Sequence, residues 1–133
     1  MKCKKIVWLC FAGFFFYLSF SSCASRYTAI SPKEVNKTIA YDVSIVGPAE
    51  LMYFVYPYPD NHNVHIDWKE LRKKNNYKIT LTHTNLKDDS VEAYKYIVFA
   101  KYNGTTWEVF EIKRTHRCRE GRGKTRWTRE LCL

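Results

Sequence analysis

The chain has 133 residues, is 46% hydrophobic and 17% aromatic, and carries a formal net charge of +9. That length suits one domain with one core, and the supply of Tyr, Phe, Val and Ile is enough to fill it. Five cysteines, five glycines and four prolines without an internal repeat exclude a dense disulfide framework and a low-complexity linker.

The chain opens on Met1-Lys2-Cys3-Lys4-Lys5, a positively charged stretch, followed by an apolar run over residues 6–20 and the small residues Ser21, Ser22, Cys23, Ala24 and Ser25. This order is that of an export signal: a basic start, an apolar centre and a small-residue cleavage region. Phe20-Ser21-Ser22-Cys23 resembles a bacterial lipobox, with Phe20 where that pattern prefers Leu. The resemblance implies cleavage before Cys23, a diacylglyceryl thioether on its sulfur, and an outer-membrane or cell-surface address, with the periplasm as the alternative. Two other readings remain open. One is an ordinary cut after Ala24. The other is an uncleaved helix over residues 6–25, about long enough for a bilayer core of ~30 Å. All three place residues 26–133 outside the cytosol. The organisation that follows is a signal peptide over residues 1–22, a lipidated tether over residues 23–31 and a single domain over residues 32–133.

Cysteine counting agrees. Cys23, Cys118 and Cys132 remain after cleavage, and lipidating Cys23 removes the odd thiol. Cys118 and Cys132 are then free to pair in an oxidising compartment.

Within the domain, Ser31-Pro32-Lys33-Glu34 matches a helix start, with Ser31 as cap, Pro32 in the first turn and Glu34 closing a capping box. Val35 and Ile39 share a face of this short helix, which ends near Ala40. Residues 41–46 alternate as a strand that Gly47-Pro48 breaks. Residues 51–56 are nearly all apolar and read as a buried strand. Val64, Ile66 and Trp68 alternate again, although residues 67–74 also fit a helical turn. Tyr77, Ile79 and Leu81 alternate with polar neighbours as a half-exposed strand.

Asn103-Gly104 between β-rich runs predicts a two-residue type I′ hairpin. Its register sets Tyr102 opposite Thr105, Ala100 opposite Trp107, Val98 opposite Val109 and Ile97 opposite Phe110. Apolar groups on both faces predict a central hairpin covered on each side. The fold class is therefore α+β: an antiparallel β-sheet of four to six strands with a short N-terminal helix and a disulfide-closed C-terminal loop.

Charge is unevenly spread. Residues 113–133 carry eight basic side chains against Glu120 and Glu130, a net +6, whereas residues 23–112 are neutral. A neutral body thus carries a basic C-terminal hook. Arg117, Arg119, Arg122, Lys124 and Arg126 are the anion-binding candidates, since guanidinium forks suit phosphate and carboxylate. Gly121 and Gly123 permit a tight turn inside the loop, and Trp127 packs beside it.

No constellation for catalysis emerges. His62 and His65 lie near Asp60 and Asp67, but His-x-x-His on an extended segment directs the two rings apart, and His83 and His116 stand alone in sequence. No Gly-x-Ser-x-Gly elbow and no phosphate loop is present. Asp88-Asp89 belongs to a turn. Asn36-Lys37-Thr38 and Asn103-Gly104-Thr105 match the N-glycosylation sequon and are read as chance.

The chain as a whole resembles small bacterial envelope lipoproteins of unassigned function, on residues 1–25. The expectation is a non-enzymatic module without cofactor or metal. It is held at a membrane through lipid on Cys23, with its hook touching an anionic envelope polymer or protein and nucleic acid the lesser partner. The alternative is an inhibitor or immunity-type protein, binding another protein through Tyr53, Tyr56 and Tyr58, since tyrosine anchors interfaces.

Overall fold

In the computed structural model the described residues are 25–40, 45–57 and 63–133. The signal segment, Cys23, His62, Tyr58 and most of the strand expected over residues 41–46 lie outside them. Five strands and two helices follow in the order β1 (Thr28–Ile30), α1 (Lys33–Ile39), α2 (Pro48–Val55), β2 (Val64–Glu70), β3 (Asn76–His83), β4 (Val91–Tyr102) and β5 (Trp107–Cys118). The strands form one antiparallel sheet in the order β1-β5-β4-β3-β2, so the fold is α+β with the long hairpin at its centre.

Alternation decides which side chains face the helices. Val64 and Ile66 from β2, Ile79 and Leu81 from β3, and Tyr96, Val98 and Ala100 from β4 point the same way. They meet Ile39 of α1 and Leu51 and Met52 of α2 in one core. The domain is thus two layers, helices on one face of a sheet. Among the described residues no helix covers the opposite face. Long stems and the tail shield it instead: Lys113 Nζ stands 5.2 Å from the Phe99 ring centre, and Phe99 packs on Phe110, which stays 52% exposed. The hairpin is central as expected, but only one of its faces is fully covered.

Four local expectations are corrected. In the run expected as a strand over residues 51–56, residues 51–55 are helical and Tyr56 ends the helix, because Pro48 takes the first helical position, where its missing N–H costs nothing, and Glu50 sits in the first turn. Leu51 and Met52 then turn inward and Tyr53 outward. At α1, Pro32 occupies the cap position itself and no side-chain cap closes the helix; Ser31 Oγ accepts only a long contact, 3.4 Å, from the Lys33 N–H. Val35 and Ile39 do share the buried face. Thr28–Ile30, expected within the tether, instead pair with Arg114, Lys113 and Ile112 as the edge strand β1.

The hairpin register is the fourth correction. Tyr102 pairs with Trp107, Ala100 with Val109 and Val98 with Ile112. Asn103 keeps an ordinary φ, and only Gly104, at φ 101°, takes the positive region. The Asn103 Oδ1 accepts the N–H groups of Thr105 and Thr106 at 2.9 and 2.8 Å, which builds a wider corner than a type I′ turn. A bulge then leaves Phe110 without a partner on β4, so Val109 and Ile112 both face the core while Phe110 faces out.

Val64 to Glu70 is a strand throughout, which resolves the ambiguity there; the chain turns only afterwards, with Glu70 Oε1 accepting the Asn75 N–H at 2.7 Å. Among the described residues no helix is long and apolar enough to cross a membrane.

Candidate anion site in the C-terminal tail

The tail leaves β5 at Cys118 and doubles back through Gly121 and Gly123, which sit at φ 77° and 139°. A Cβ at Gly123 would stand 3.0 Å from Cys118 Sγ, so the loop closes tightly on the sulfur. The Cys118 and Cys132 sulfurs lie 2.11 Å apart, at disulfide distance, with Cα atoms 5.5 Å apart. Thr128 exchanges two backbone hydrogen bonds with His116, 3.0 and 2.7 Å, and its carbonyl also accepts the buried Thr115 hydroxyl. The chain end is tied as well: Leu133 N–H donates to the Arg122 carbonyl, and Ser90 Oγ donates to the Leu133 carbonyl.

This return places Thr128 on the same edge of β5 that β1 occupies. Because β1 runs antiparallel to β5, with Thr28 opposite Arg114, the residues before it approach the tail. A pocket of about 540 Å³ opens between the two segments, with Arg26 on one side and Arg117, Lys124, Arg126 and Arg129 on the other. Trp127 forms part of its wall. The indole ring carries Lys95 Nζ 4.1 Å from its centre and the Arg117 guanidinium at 5.5 Å. Lys95 is driven below its ordinary pKa by burial first and by Arg117 second.

The expected hook residues divide into three kinds. Arg117 is paired with Glu92, its NH2 donating to Oε1 at 2.7 Å, and Lys124 is paired with Glu130. That pairing holds the Glu130 carboxyl below its ordinary pKa. Arg119 is a structural clasp: its Nε donates to the Asp88 carbonyl at 2.7 Å and its NH2 to the Leu86 carbonyl, fastening the β3–β4 turn. It does not line the pocket, and neither does Arg122, which is exposed beyond it. Arg126 does line it. Arg26 and Arg129, absent from the candidate set, join it there. Arg26, Arg126 and Arg129 form no ion pair among the described residues. Arg129 was visible as part of the basic run. Arg26 had no local signal, since only the β1–β5 pairing brings it across.

The histidines are dispersed. His65 is exposed on β2. His83 is buried, and its Nδ1 lies 3.2 Å from the Tyr56 hydroxyl. His116 stands beside the cysteine pair, all three ligand atoms lying within 4.8 Å of one another, a grouping the sequence spacing does not suggest. At disulfide distance the two sulfurs are not thiolates, the form in which sulfur ligates a metal. His116 Nε2 lies 2.7 Å from the Glu130 carbonyl.

Tyr56 is half-buried. Its ring stacks on Tyr96 at 4.7 Å between centres, and burial raises the pKa of both hydroxyls. Tyr53 is half exposed on the outer side of α2.

No family model, no curated protein and no solved structure matches this chain.

Proposed function

We propose that the chain is an exported, lipid-anchored envelope protein whose domain works as a non-enzymatic binding module, offering its basic tail pocket to anionic envelope components. Export and anchoring rest on the basic start, the apolar run and Cys23 in residues 1–25. The binding reading rests on one observation: Arg26, Arg126 and Arg129 line one pocket and form no ion pair among the described residues, while Glu130, the acid in the same lining, is bonded to Lys124 and acts on Arg126 and Arg129 only through space. Arg26, Arg117, Lys124, Arg126 and Arg129 against the single carboxylate of Glu130 in one concave lining favour an anion of fixed geometry over a diffuse counter-ion cloud.

The test compares two variants of equal net charge on immobilised lipopolysaccharide. In Arg26→Ser/Arg126→Ser/Arg129→Ser the protein elutes at clearly lower salt than wild type. In Lys69→Ser/Arg72→Ser/Lys73→Ser, which removes exposed cations at the far sheet edge, elution stays near wild type. Equal elution of the two variants means that net charge alone sets retention and ends the site reading.

A further inference from the structure

We infer that the tail pocket docks on the very membrane that holds the protein, taking the phosphate of an anionic lipid headgroup between Arg26, Arg126 and Arg129. This rests on the anion reading above and adds the source of the anion. Three observations carry it.

The first is covalent. Arg26 belongs to the pocket wall, and Cys23 is three residues before it, so an acyl chain on Cys23 keeps the pocket within about 10 Å of its attachment point. That is close to the ~8 Å Debye length at physiological salt, so headgroup charge still reaches the pocket, reduced by screening.

The second is apolar. The same loop ends in Leu131 and Leu133, which are 90% and 82% exposed. Two bare leucines flanking a disulfide-distance Cys132 are costly in water and gain on entering acyl chains.

The third is aromatic. Trp127 lines the same pocket as the arginines and is half-buried, with Lys95 and Arg117 already held against its ring. An amphipathic ring beside arginines, on a tail that also carries bare leucines, is the composition of a membrane–water boundary. A free phosphate would need the arginines alone and leaves the leucines unexplained.

The experiment uses the full chain made in a lipidating host and reconstituted in vesicles. Phenylglyoxal modification of individual arginines is followed by peptide mass spectrometry. With vesicles of phosphatidylcholine plus phosphatidic acid, Arg26, Arg126 and Arg129 react about tenfold more slowly than with phosphatidylcholine alone, as expected for a ligand present at ten times its Kd. Arg72, remote from the tail, is unchanged. A second arm adds inorganic phosphate to the phosphatidylcholine vesicles. If inorganic phosphate protects the three arginines and phosphatidic acid does not, membrane docking is overturned while anion binding stands. If neither protects, both readings fall. In Leu131→Ser/Leu133→Ser, protection by phosphatidic acid drops severalfold and protection by inorganic phosphate is retained. Full lipid protection in that variant overturns docking through the tail tip.

Discussion

Asn36 illustrates how much one side chain decides. From α1 its Nδ2 donates to the Val109 carbonyl at 2.7 Å and its Oδ1 accepts the Val109 N–H at 2.8 Å. The carboxamide thus stands in for a strand residue along the part of β5 that β1 does not reach, and Val109 is fully buried there. Asn36→Ala leaves a buried donor and acceptor unpaired and is expected to lower stability by roughly 2–4 kcal/mol, read from urea denaturation. A change below ~0.5 kcal/mol would show that the amide pairing carries no weight. The same contact explains why the Asn36-Lys37-Thr38 sequon is incidental: a glycan on Nδ2 displaces the bond to Val109. Asp88 acts at the same scale. Its Oδ1 accepts the N–H groups of Val91 at 2.7 Å and Ser90 at 2.8 Å, which hold its carboxyl below the ordinary value, with Arg119 assisting. A depressed folded pKa stabilises the fold above the unfolded value of ~3.9 and loses that contribution as pH falls through the folded value. Asp88→Asn is therefore expected to lower the denaturation midpoint at pH 7 and to flatten its fall below pH ~4; an unchanged acid limb would sink this account. The turn itself was legible from Asp88-Asp89-Ser90. The use of Arg119 to clasp it was not, because that contact joins residues far apart in the chain and only charge is visible locally.

At the scale of elements, patterning served where one face is buried and failed where an apolar run has no period. Tyr77, Ile79 and Leu81 alternate and form β3, whereas residues 51–56 are apolar throughout and are compatible with either a strand or a buried helix. Pro48 and Glu50, just ahead of that run, were the signal that tipped it to α2. The β4–β5 hairpin was recognised from Asn103-Gly104, but its register depends on which residue turns the corner and on a bulge at Phe110, neither of which a dipeptide specifies. The tail is an element of its own, closed by Cys118 and Cys132 and tied through Thr128 and Leu133. Cys118→Ser/Cys132→Ser is expected to lower stability by ~3 kcal/mol from loop entropy, on the chain-entropy model. It should also expose Trp127, measurable together as a lower denaturation midpoint and a red-shifted emission relative to a Trp127→Phe background. Unchanged stability on removing both sulfurs would mean that backbone ties alone hold the tail.

For the whole molecule, the order of periodic segments was sufficient for the α+β class and the charge count for the basic C-terminus, because pattern and sums need no geometry. Which of those charges act together is another matter. Arg119 and Arg122 lie among the candidates in sequence yet outside the pocket, while Arg26, remote in sequence, lines it. Local residue types determined where the turns fall, the alternating strands and the pairing of the two cysteines of the tail. The register of the hairpin, the side of the sheet that the helices cover and the membership of the tail pocket were decided by tertiary structure. The register turns on one bulge at Phe110, and the other two depend on contacts between β5 and the distant segments β1 and α1, which are chosen by the burial of a common core rather than by any neighbour in sequence.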